Sequence, residues 1–373
     1  MSVAPFRLFI SSVAAGILCV SARASAAPSA ERDADYEFLV RHMPAKDRGV
    51  VGEDYLRRNV ALAREAMREA PWRDAVPREI FLEYVLPYSS IGEDVDDWRG
   101  TFRAKFWPLV KGCKTTGEAV AVINSRIGGL LGVHYDTRRD KPDQSPFHSK
   151  RIGMASCTGL SILQIDAFRA CGIPARFVGC RWTDMSGNHS WVEYYDRGTW
   201  HFYNDPADGK LVPPDESWFA PHAALADGSS PRTKIYAARW SPSGMWFWGT
   251  WRGGDGPTEI PADDVTASYR RFRKGNPKCV AAFVAYGPGK RRVSVPFLLK
   301  DPGTGKVLAE GVTFDESHDM NDHVSVSLPE GTVAKAYVKL ADGRLIPAGE
   351  VKFLPGRRLY SLGAFHLVGT RKL

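Results

Sequence analysis

Three residues in the middle of the chain have the types and order that thiol chemistry needs. Cys157 stands in Ser156-Cys157-Thr158-Gly159-Leu160, where a loop enters a helical pattern. Exposed N–H groups and the positive dipole end of a helix favour a thiolate there, and the thiolate is the form that attacks a carbonyl. His189 follows in Gly187-Asn188-His189-Ser190-Trp191, on a strand whose alternation puts Glu193 and Tyr195 on its face. An imidazole can carry a proton to a departing amine. Asp205, in Asn204-Asp205-Pro206, follows the next strand. The end of that strand can lie beside the start of the His189 strand, so the carboxylate can orient the ring. Asp208 and Asn204 are alternatives for this third place.

Each residue also has a plainer reading. A lone Cys157 could be a core thiol. Cys157, Cys171, Cys180 and His189 could bind zinc, but no C-x-x-C or H-x-x-x-H pair supports it. Cys171 and Cys180 suit the core or a local disulfide. His201 could line the site or sit on its rim, and Arg176 suits a structural salt bridge. No cofactor is called for.

The elements that must position these groups are partly legible. Helical periodicity runs from Asp33 to about Ala70, from Arg78 to Val85, from Asp97 to Trp107 and from Thr115 to Leu131, with Thr116 as a candidate N-cap. Val133 to Lys150 reads as loop. Cys157 to Cys171 reads as a helix with an apolar stripe of Leu160, Leu163, Ala167 and Ala170, ended by Gly172 and Pro174. Strands follow at Ala175–Cys180, Ser190–Tyr195 and Thr199–Tyr203, the last two joined by a tight turn at Asp196-Arg197-Gly198.

The segment Ser156-Cys157-Thr158-Gly159-Leu160, the link Ala170-Cys171-Gly172-Ile173-Pro174-Ala175-Arg176 and the stretch His189-Ser190-Trp191-Val192-Glu193, followed by Trp200 and an acid, together resemble the bacterial transglutaminase-like superfamily. The resemblance is strong over residues 150 to 210. It implies a papain-like α+β core with Cys157 as nucleophile, His189 as base and acid, and Asp205 as the orienting carboxylate. It also implies a peptide or protein substrate carrying a carboxamide. Oxyanion donors are not readable beyond the backbone N–H of Cys157. Side chains near Tyr88, Trp98 or Gln144 are open candidates.

The rest of the chain sets the context. Arg7, the apolar run Leu8–Val20 and the small residues through Ala24-Ser25-Ala26 read as an export signal. Cleavage after Ala26 removes Arg7 and Arg23 and takes the net charge from +8 to +6. It also leaves five cysteines, an odd number. The expected location is periplasmic or extracellular, without stable membrane insertion after cleavage. The modest basic excess does not argue nucleic-acid binding. Oligomeric state is not readable.

After Val265, short strand patterns at Cys279–Tyr286, Arg292–Leu299, Val307–Phe314, Val324–Leu328, Val333–Leu340 and Glu350–Leu354 alternate with Gly- and Pro-containing turns. They suggest a β-sandwich. The expected organisation is a signal at 1–26, a helical region at 27–112, a transglutaminase-like catalytic core at 113–262 and a C-terminal β-sandwich at 263–373. The overall class is α+β, with the Gly- and Pro-rich stretch Gly253–Pro261 as the junction. Trp240, Trp246, Trp248 and Trp251 suit either packing between domains or an exposed platform for sugar or peptide. The run Asp315-Glu316-Ser317-His318-Asp319 departs from a calcium-loop pattern and reads as a solvated loop. The rival to an enzyme is a non-catalytic envelope protein that binds peptide or glycan with the same fold.

Overall fold

The computed structural model describes residues 30–203, 213–249, 254–273 and 279–365. The export pattern at 1–26, Asn204, Asp205, Asp208 and Trp251 lie outside the described residues.

The N-terminal half is a layer of helices. α1 (Ala30–His42) and α2 (Glu53–Glu69) replace the single helix expected over this stretch. Pro44 and Gly49, the latter at φ 75°, break the run between them. α2 buries Leu56, Val60 and Ala63 at helical spacing. α3 (Arg78–Tyr84) ends short of Pro87, as expected. α4 (Trp98–Val110) keeps Pro108 inside its last turn, because its ridge of Trp98, Phe102, Phe106 and Val110 stays buried to the end. The expected helix at Thr115–Leu131 is two, α5 (Thr116–Asn124) and α6 (Ile127–Leu131). Thr115, not Thr116, is the N-cap, accepting from the N–H of Glu118. The Thr116 hydroxyl donates instead to the Tyr195 carbonyl. Within the stretch read as loop lie β1 (His134–Tyr135) and α7 (Pro146–Ile152), whose Ser145-Pro146 start is a helix-entry signal. A second two-residue strand, β2 (Met154–Ala155), pairs with β1 in parallel and leads directly into the next helix.

That helix, α8 (Cys157–Ala170), is buried on every side rather than along one stripe, because α4 covers one face and the sheet the other. Arg169 near its end donates to the carbonyls of Tyr84, Ser89 and Ala175, which fastens it to the helical layer. Gly172 ends it at φ 74°, and a Cβ there would meet the Ala66 carbonyl oxygen at 2.8 Å. The link therefore needs glycine both for its backbone and for its close approach.

β3 (Ala175–Arg181), β4 (Asn188–Asp196) and β5 (Thr199–Tyr203) form as expected, with Arg197 and Gly198 at positive φ in the turn. Three strands not foreseen complete an antiparallel six-stranded sheet. They are β6 (Ile235–Ala238), β7 (Trp246–Trp248) and β8 (Pro257–Asp264), in the order β5-β4-β3-β6-β8-β7. Part of the stretch read as a Gly- and Pro-rich junction is thus sheet. Pro257 and Pro261 punctuated the strand without excluding it from a position near the edge. Trp240 is buried and packs edge-on against Tyr88 of the helical layer, whereas Trp246 is exposed.

The chain then crosses the core once more. Tyr269, in the short helix Thr266–Tyr269, packs on Trp191 and Phe202. Seven strands follow in two sheets. β9 (Cys279–Tyr286), β12 (Val324–Ser327) and β15 (Gly356–Ala364) make one; β10 (Pro296–Lys300), β11 (Val307–Val312), β13 (Val333–Lys339) and β14 (Leu345–Lys352) make the other. Alternating Ala281, Phe283 and Ala285 of β9 meet Phe297 and Leu299 of β10 and Ala334, Ala336 and Val338 of β13 in one core. The α+β class and the C-terminal sandwich expected from the sequence are both present.

Candidate active site

Cys157 is the first residue of α8. Its N-cap, Ser156, does not cap the helix; its hydroxyl accepts a 3.0 Å hydrogen bond from Arg139 Nε instead. The first-turn N–H groups are therefore not spent on a capping side chain, and the helix presents its positive end at the sulfur. Gly159 allows the tight fit of this turn, since a Cβ would sit 2.9 Å from the Ala155 methyl. Gln144 Nε2 donates to the Met154 carbonyl at 3.1 Å, holding the short strand before Cys157. Tyr88 donates to Asp47, and Trp98 donates to the Tyr88 carbonyl, so both are engaged within the helical layer.

His189 lies at the start of β4 and is completely buried. Aromatic rings enclose it. Trp182 and Trp191 stack at 5.8 and 5.9 Å between centroids, and Trp218 and Phe219 approach at 4.9 and 5.0 Å. Such walls exclude water and strengthen any charge placed against the ring. Behind His189, Glu193 is tied to Arg176 at 2.6 Å and accepts from Tyr269, which in turn accepts from Trp191 Nε1 at 2.6 Å. Arg176 is thus the structural salt-bridge residue expected.

The group facing the imidazole is Asp319, on the loop between β11 and β12 of the sandwich. Asp319 Oδ2 lies 3.5 Å from His189 Nδ1, and both side chains are fully buried. The Cys157 sulfur, a His189 ring nitrogen and an Asp319 carboxylate oxygen lie within 4.8 Å of one another. Burial alone would push the His189 imidazolium down in pKa. The Asp319 carboxylate and Cys157 more than reverse this and hold it well above the usual histidine range. Burial likewise pushes the Asp319 carboxyl up, but the His189 charge and the Asn321 hydrogen bonds outweigh it and keep it below the usual carboxylate range.

The structure brings Cys157 and His189 together, and Asp205 lies outside the described residues. The run read as a solvated loop delivers the buried Asp319. Cys171 and Cys180 are free, and burial pushes the Cys171 thiol up to about 12. Among the described residues they do not join a metal-ligating group with Cys157 and His189. His201 pairs with Asp215 at 2.8 Å and stacks on Tyr194. A cavity of about 460 Å³ with Tyr135, Ser186 and Asn321 in its wall lies between the core and the sandwich.

No curated protein matches the chain. Among solved structures it is similar to a "Putative Cysteine Protease from Cytophaga hutchinsonii", at 21% identity over 31% of this chain and 39% of that one. The TM-score of 0.26 is too low to argue a shared overall architecture. Residues 108–206 match the Transglutaminase-like superfamily. That segment, about a quarter of the chain, holds both the helix led by Cys157 and the strand that carries His189, and over it the chain is similar to transglutaminase-like proteins.

Proposed function

We propose that the protein is a thiol enzyme that acts on amide or peptide bonds through an acyl-thioester on Cys157, with hydrolysis favoured over cross-linking. The observation that carries this reading is the enclosed Cys157–His189–Asp319 group at the N-terminus of α8. An imidazolium held charged beside the sulfur, with a helix dipole behind it, is the arrangement that supports a thiolate.

Cys157 Sγ attacks the carbonyl carbon, and the carbonyl oxygen takes the negative charge, with the helix N–H groups as its donors. The C–N bond breaks as His189 gives its proton to the amine, leaving the thioester. Water, or an amine, then attacks the thioester carbon and passes a proton to His189, and the Cys157 thiolate leaves, restoring the thiolate–imidazolium pair. The substrate is a peptide or protein carboxamide. The export pattern at 1–26 supports action in the periplasm or outside the cell. Among the described residues no helix is long and apolar enough to cross a membrane.

The test is acylation by p-nitrophenyl acetate, followed by peptide mass spectrometry, in the wild type, Cys157→Ala and His189→Ala. Acetyl on Cys157, absent in Cys157→Ala and slowed in His189→Ala, supports a thiol enzyme. Equal slow labelling of all cysteines supports a binding protein instead.

A further inference from the structure

We infer that Asp319 is the positioning residue for His189, so that the C-terminal sandwich supplies part of the catalytic site. This rests on the thiol-enzyme reading above.

A carboxylate in the interior is costly unless it is paired and hydrogen-bonded. Asp319 is fully buried although its neighbours Asp315 and Glu316 lie toward the surface. Its Oδ1 accepts from the backbone N–H of Asn321 at 2.8 Å and from Asn321 Nδ2 at 3.0 Å. That fixes the plane of the carboxylate. Oδ2 has no hydrogen-bond partner among the described residues, and it faces His189 Nδ1 at 3.5 Å. This distance is at the outer limit of a hydrogen bond, and catalytic contacts are often long before substrate binds.

The loop is also fastened to the core where positioning matters. Asn321 Nδ2 donates to the carbonyl of Asn188, the residue before His189. The N–H of Met320 donates to Tyr135 Oη at 2.7 Å, and Tyr135 pairs with Ala155, two residues before Cys157. Inside the sandwich, Arg292 donates to the carbonyls of Asp319 and Asp322 at 2.8 and 2.7 Å. The loop thus spans the two strands that set the nucleophile and the base. Cys157 acts on His189 together with Asp319, His222 lies beyond Trp182 paired with Asp184, and Asp322 and His323 lie near Asp319. With Nδ1 directed to Asp319, the other ring nitrogen is the one left for the Cys157 proton.

The experiment uses the full chain with Asp319→Asn, Asp319→Glu, Asp205→Asn and Cys157→Ala. It measures acylation by p-nitrophenyl acetate against pH and the His189 titration by NMR. Asp319→Asn, which keeps size and the Asn321 contacts, is expected to slow acylation between about 10²- and 10⁴-fold. It is also expected to move the His189 titration down by a unit or more, a change that a merely structural role would not produce. Asp319→Glu should recover part of both, and the loss in Asp205→Asn should be smaller. If Asp319→Asn keeps the wild-type rate and titration, the inference is wrong; a large loss in Asp205→Asn would then give the role to Asp205. In either case inactive Cys157→Ala leaves the thiol reading intact, whereas active Cys157→Ala overturns that reading and this inference with it.

Discussion

Asn321 reaches out of the C-terminal sandwich and donates one side-chain amide to the carbonyl of Asn188, the residue that precedes His189. The same amide nitrogen donates to Asp319. The strand that carries His189 and the loop that carries Asp319 are therefore held by a single side chain.

Gly187 makes that contact possible. It sits at φ 95°, and a Cβ there would lie 2.9 Å from Asn321 Oδ1. Gly187→Ala is expected to strain the turn and push the Asn321 loop away, lowering acylation of Cys157 at least tenfold while the fold survives. The cost of a non-glycine residue at positive φ is about 1–2 kcal/mol. Parallel measurement of acylation rate and thermal unfolding checks this; unchanged activity would mean that the loop contact is dispensable.

Tyr269 offers a second test, of the support behind His189. Its hydroxyl donates to Glu193 and accepts from Trp191 Nε1, each at 2.6 Å. Tyr269→Phe leaves the buried indole N–H without its partner and is expected to cost about 1–3 kcal/mol in unfolding free energy. Denaturant titration reads this directly, and a loss below measurement error would contradict the assigned network.

Asp322 makes stability depend on pH. Burial, ahead of the neighbouring charges, pushes its carboxyl up to about 6. A group whose pKa is raised on folding stabilises the fold while protonated and loses that contribution as pH rises. The window lies between about 4, the ordinary carboxyl value, and about 6. Asp322→Asn should therefore raise the melting temperature above pH 6 and change it little at pH 4. Equal effects at both pH values would contradict this account.

The helix–turn–strand region around Cys157 and His189 was legible because its signals are local. An apolar run after Ser156, the Gly172 and Pro174 stop, and strong alternation from His189 to Tyr195 each report their own element. β6 and β8 were not legible. Ile235–Ala238 is only four residues long, and Pro257 and Pro261 mark β8 as a junction. Asp319 was hidden for a different reason. An acidic, hydroxyl-rich run normally stays in water, and only the fold shows that the core buries its end. The available hint was Asp319-Met320-Asn321, in which an aspartate precedes by two residues a backbone N–H it can accept from.

The most direct measurement is the ratio of alkylation rates at Cys157 and Cys113. Cys113 is the more exposed thiol, and burial pushes it above its ordinary pKa; Cys157 is nearly covered and lies beside His189. With limiting iodoacetamide at neutral pH and peptide mass spectrometry, the account predicts that Cys157 reacts faster than Cys113. It also predicts that the advantage disappears in His189→Ala. If Cys113 reacts first in the wild type, accessibility rather than activation governs these thiols, and the proposed nucleophile is contradicted.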